Sequence, residues 1–473
     1  MQETGYRPRG FPAARIAIAI ALATLTTARC RKASERLSSN RQQSADYRIA
    51  ADEAPAKPVA DPERIRKKGE SPQHWLDDLP EAVRKKAPER APALPAVAPA
   101  GPGNVSSSTD GSSPRRCSFV EPAAVRIWPT PAPVTVVAAL GRFLVAGYCK
   151  EESDERIFLV AVAPRKRARP LATVRLHKAH PARRAAAPGI SVKDGVHALL
   201  AATDGSGAVL AGSVPLERAT ANLALSPVGA GADTRFPPAV AHFQGLSAVA
   251  WCTGSTPMRT QVALLGPGNA VMATYDVTPT GLGASAPVFV EGSDLPLLLA
   301  LDAHDGYSPL LRIAFSATGV PAEATVVTPL NLIAIPPRLV AARAPFGVLV
   351  AYTALGTAAT SAVGLLPVEP EVGPLRALVR GTGYGRLQVD VAAAPQALIF
   401  AADAPVSGGS KDQREIRVRV ADQRGIGPVL LVRGPADGTA EGAALARGAD
   451  GTIALAFSSG SGVYLHWLAC DDR

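Results

Sequence analysis

The chain has 473 residues, of which 47% are hydrophobic, 5% aromatic and 19% charged, with 42 Gly and 43 Pro. The formal net charge of +10 is uneven: residues 1–116 hold 20 basic and 13 acidic residues, whereas residues 117–473 hold 30 and 27. The larger part is near neutral and interleaves no aromatic residues with a basic stripe, so nucleic acid is excluded as an expected ligand.

The N-terminus reads as an export signal over residues 1–29. Arg7, Arg9 and Arg15 precede an apolar run, Ile16 to Ala28, that is too short to span a bilayer comfortably. Thr26 and Ala28 suit cleavage before Arg29. Thr27-Ala28-Arg29-Cys30 resembles the lipobox of bacterial lipoproteins and makes Cys30 a lipidation candidate, which implies membrane anchoring. Arg29 departs from the small residue of that pattern, and simple cleavage takes precedence. Either route predicts a protein in the periplasm, at the outer membrane or outside the cell.

Residues 30–116 are expected to form a disordered basic linker. Charge runs, Pro-Ala tracts and a Ser-rich stretch bury too little apolar surface to offset the entropy of ordering. Ser71 to Ala87 is an island in it. Trp75, Leu79 and Val83 fall four apart, which predicts a transient helix or a short docking motif.

From Cys117 onward one phrase recurs: a short apolar run ending in a small or polar residue and followed by a turn. It starts at Arg142, His197, Leu246, Leu295, Phe346, Ala397 and Thr452, at intervals of 49 to 55 residues. Seven such runs at a nearly fixed period, without a helical pattern between them, resemble a seven-bladed β-propeller over residues 117–473. The fold class is therefore all-β. The third repeat parses as four strands, 239–244, 246–252, 260–265 and 270–277. Unbroken apolar second strands fit blades sandwiched between neighbours.

The last repeat lacks a fourth strand, and residues 118–128 have no place in blade one. These residues are expected to form the outer strand of blade seven and so close the ring. That pairing would set Cys117 beside Cys470 at strand spacing and predicts a disulfide between them. Cys149 and Cys252, on blades that are not adjacent, are expected to stay unpaired. The charged stretches 149–155 and 164–170 read as solvated turns of blade one.

Catalytic and metal-binding patterns are sparse. No cysteine pair has CxxC spacing and no histidine pair has metal-ligand spacing, so neither metal nor cofactor is expected. His177 with His180, and Asp302 with His304 and Asp305, read as polar loops. The Gly-rich stretches 266–270 and 381–385 open no helix that could cradle a phosphate. Asp194-Gly195, Asp204-Gly205, Asp305-Gly306 and Asp450-Gly451 read as turns, since they lack the full sialidase aspartate-box pattern.

The strands expected to line the central channel are mostly small and apolar. His242, Arg343 and Asp390 are the polar candidates for a small-molecule site there. So thin a set favours a binding or scaffold module, monomeric, with an unidentified protein or glycan partner. The alternative is a propeller-fold hydrolase or lyase acting on carbohydrate or lactone, which rests on fold analogy.

Overall fold

The computed structural model describes residues 115–470 except 152–153, 177–185, 219–222, 244, 256, 291–294, 303–307, 331–338, 345–346, 356–359, 369–375, 383–388, 396, 407–412, 423–424 and 436–437. The expected export signal, Cys30, the linker as far as residue 114, His177, His180, His304 and Asp305 lie outside that set.

The described strands form seven antiparallel sheets. Their first strands touch in sequence around a closed circle, and that of blade seven (Glu441–Arg447) meets that of blade one (Val134–Ala139). The fold is a seven-bladed β-propeller. Blade three is the plainest: Ala239–Phe243, Leu246–Cys252, Thr260–Leu265 and Val271–Asp276 lie in that order across the sheet. The repeated apolar phrase is the second strand of every blade. Leu297–Leu301 is buried at all five positions because both faces of the sheet meet neighbouring blades. Each fully buried leucine there contributes about 1.5–3 kcal/mol.

The first strands of blades two and four, Gly189–Lys193 and Ser285–Val290, carry weaker sequence signals. Gly189 stands where a Cβ would collide with the Pro238 carbonyl, and Ala286 adopts φ 49° at a bulge in its strand. Close approach and a left-handed kink replace apolar alternation at these places.

Blade seven is completed from the other end of the chain. Its third strand, Gly462–Cys470, pairs with Cys117–Phe119 and with Val125–Trp128. The outer strand is thus two short pieces rather than the single one expected, because Pro122 between them has no N–H to continue the ladder. Trp128 stacks on Phe158 of blade one at 4.2 Å, so the clasp also binds the next blade. Cys117 lies opposite Cys470 in register, and the two form a disulfide. Cys149 and Cys252 are buried and take no part in a disulfide.

One expected turn of blade one is corrected. The second and third strands extend through Glu151 and Asp154, and Glu155 is 2% exposed with Lys150 Nζ at 3.3 Å. The ion pair lets a carboxylate sit at a blade margin where the charge pattern suggested solvent. The stretch 165–167 is exposed, as expected.

A continuous ring and a linker of such composition predict a simple proteolysis pattern. Limited digestion is expected to remove the segment before Cys117 and leave one resistant core. A core that separates into two stable halves would contradict the single ring.

Candidate functional site

The central circle is built from first strands, whose side chains alternate between the channel and the neighbouring blades. His242 sits on blade three, Arg343 on blade five (Leu339–Ala344) and Asp390 on blade six (Val389–Ala394). No described hydrogen bond or ion pair joins any two of them.

His242 is held by both ring nitrogens. Nε2 lies 3.3 Å from the carbonyl oxygen of Ser191 on blade two, and Nδ1 lies 2.8 Å from the Ser247 hydroxyl. A carbonyl only accepts, so Nε2 carries the proton and Nδ1 accepts from the serine. Burial lowers the imidazole pKa below its ordinary value, which keeps the ring in this neutral form.

Asp390 is engaged across the other seam. Its Oδ2 accepts from the backbone N–H of Leu445 on blade seven at 2.7 Å, and its Oδ1 accepts from that of Val391 at 2.8 Å. Burial raises its pKa to about 7, while the two N–H groups oppose the shift. Arg343 is half-buried, opposite Val348 in register.

The raised pKa of Asp390 carries a sign for stability. A carboxyl with pKa 3.8 in the unfolded chain and about 7 in the fold contributes stability that is fully present below 3.8. That contribution is lost as pH rises through about 7. Asp390→Asn is expected to flatten this part of the pH profile of the urea midpoint. An unchanged slope would place the titration elsewhere.

A second set of polar contacts, which sequence reasoning missed, ties the last residue of the repeated phrase to the next blade. Asp403, 1% exposed, accepts from the Gly442 N–H at 3.3 Å and pairs with Arg414 at 3.1 Å. Ser458 Oγ accepts from the Ala132 N–H at 3.2 Å. Cys252 Sγ lies 3.9 Å from the Ala284 carbonyl. The signal was present in the sequence as the polar residue closing each phrase.

The Asp-Gly turns at 194, 204 and 450 are local. Asp194 accepts from Val196 and His197, Asp204 from Ser206 and Ala208, and Asp450 from Thr452. Asp302 is buried at the end of its strand, and among the described residues no cluster of His, Cys, Asp and Glu could hold a metal ion. Burial also pushes the Cys252 thiol up to about 12. Cys252 is therefore expected to resist alkylation until the ring unfolds. Rapid labelling of Cys252 in the native protein would show that blade three opens locally.

No family model matches the chain, and no curated protein matches it. Solved structures similar to it include the BP39L lectin from Burkholderia pseudomallei, with a TM-score of 0.50 and 12% identity over 71% of this chain and 98% of that one. AofleA from Arthrobotrys oligospora has a TM-score of 0.39 and 8% identity over 77% and 92% of the two chains. The subtype N11 neuraminidase-like protein of A/flat-faced bat/Peru/033/2010 (H18N11) has a TM-score of 0.38 and 8% identity over 68% and 93%. At 12% identity the likeness to the lectin concerns the fold alone.

Proposed function

We propose that this propeller is an extracytoplasmic binding or scaffold protein that presents its ring to a protein or glycan partner. The observation that carries the proposal is the Cys117–Cys470 disulfide at the ring closure. Such a bond persists in oxidising compartments, to which the N-terminal signal would direct the chain. The polar side chains of the central circle support binding over turnover, since His242 and Asp390 each hydrogen-bond to an adjacent blade and to their own. Export is tested by fractionating cells that express the full chain and sequencing the N-terminus of the product. A product starting after Ala28 outside the cytoplasm supports the proposal. An intact Met1 in the cytosol overturns it.

One observation favours a second function, hydrolysis or elimination on a carbohydrate or lactone. Burial raises the Asp390 pKa to about 7, the direction a general acid requires, although the side chain would have to reach a substrate from the seam between blades six and seven. Glycans are the first ligand class to assay, with Asp390→Asn, His242→Ala and Arg343→Ala beside the parent. Retained glycan binding with no turnover in the parent supports a binding module. Turnover that Asp390→Asn abolishes supports the enzyme.

A further inference from the structure

We propose that one face of the ring, across blades one to four, seats on an anionic lipid membrane. In blades one to four the turns joining strands one to two and three to four share this face, because neighbouring strands are antiparallel. Eight large hydrophobic residues are exposed among the described residues, and five of them stand in or beside these turns. They are Leu140, Val196, Val271, Met272 and Val320, with Leu140 75% and Met272 62% exposed. Aliphatic side chains gathered on one face of a ring mark an interaction surface.

The blade-one and blade-two part of this face is also basic. The Leu140 side chain lies 2.6 Å from where a Cβ on Gly195 would stand, which puts Leu140 against the turn that carries Val196. Leu216 N–H donates to the Val196 carbonyl at 2.8 Å, Arg142 donates to the Leu216 carbonyl at 3.0 Å, and Arg169 donates to the Glu217 carbonyl at 2.8 Å. The turn before Arg169 adds Arg165, Lys166 and Arg167, all exposed. Lys193 and Arg218 border the same spot, against Asp194 and Glu217. On the opposite face, by contrast, Arg235 is paired with Asp233 and Arg259 with Asp276.

Cations around protruding aliphatic residues match the interface of an anionic bilayer, where the apolar groups enter the headgroup boundary and the charges meet phosphates. The chain enters the ring from the same side. Arg115, the first described residue, pairs at 2.9 Å with Asp422 at the end of the third strand of blade six. Residue 115 therefore stands at the proposed membrane face. The seating goes beyond the proposed function and does not require an acyl chain on Cys30.

The test uses the full chain with Cys30→Ser throughout and a nitroxide placed at Leu140→Cys or, on the opposite face, at Arg175→Cys. Phosphatidylglycerol vesicles are expected to shield the label at 140 from an aqueous nickel chelate severalfold and to leave the label at 175 accessible. Adding Arg165→Gln, Lys166→Gln and Arg167→Gln is expected to raise the lipid concentration for half-shielding on the order of a hundredfold, at about fivefold per cation. Equal accessibility at 140 and 175, an unchanged lipid titration in the triple variant, or equal shielding by phosphatidylcholine would overturn the proposal. Shielding by a soluble acidic polysaccharide but not by the vesicles would overturn it too, and would assign the face to a glycan.

Discussion

Replacing both Cys117 and Cys470 with serine is expected to lower the free energy of unfolding by about 5 kcal/mol or somewhat less. The bond joins residues 353 apart, so it removes nearly the whole chain's freedom from the unfolded ensemble. In the folded ring it holds the short strand Cys117–Phe119 against Gly462–Cys470, beside the Val120 N–H bond to the Trp467 carbonyl and the Phe119–His466 ring contact. Urea denaturation of the double variant, beside the parent with and without reductant, measures the loss. The reduced parent should superimpose on the variant. A midpoint shift near zero would mean that the paired strands and the Trp128–Phe158 stack close the ring unaided.

Asp403→Ala is expected to cost about 3 kcal/mol or more, the range for removing one partner of a buried ion pair. The Asp403 side chain is 2% exposed and that of Arg414 13%, so deletion removes a buried carboxylate from beside a largely buried guanidinium. It also orphans the Gly442 N–H at the start of the next blade. Adding Arg414→Leu should restore part of the loss. Asp276→Ala is the contrast: its pair with Arg259 is 33% and 49% exposed, and about 1 kcal/mol is the most it should cost. Equal losses for the two aspartates would show that Asp403 does not staple the blades.

The architecture was legible because burial on both faces imposes one composition on every second strand. The runs at 246–252 and 297–301 could not alternate with polar residues while lying between two blades. The clasp was legible from a strand missing at one end of the chain and a strand to spare at the other. Its division at Pro122 needed only the missing N–H, and the burial of Glu155 needed its partner Lys150 to be placed. The first strands of blades two and four were harder, since a glycine under a neighbouring carbonyl and a left-handed alanine leave no periodic trace.

The polar residues of the central circle were found in sequence, but their partners were not. His242 reaches Ser191 at a separation of 51 residues, and Asp390 reaches Leu445 at 55. Both separations are about one repeat, as they must be for side chains that bridge adjacent blades. Periodicity names the residues that could meet, whereas side-chain direction decides whether they face the channel or the seam. Here they face the seam, and the exposed features fall elsewhere: a basic turn at 165–167 and apolar side chains at 140 and 272, at the strand ends beside turns.

The most direct test of a propeller clasped outside the cytoplasm is peptide mapping, without reductant, of protein isolated from expressing cells after rapid thiol blocking. The account predicts a cross-linked peptide containing Cys117 and Cys470, with Cys149 and Cys252 recovered as thiols once the protein is unfolded. Recovery of Cys117 and Cys470 both blocked as free thiols would contradict it.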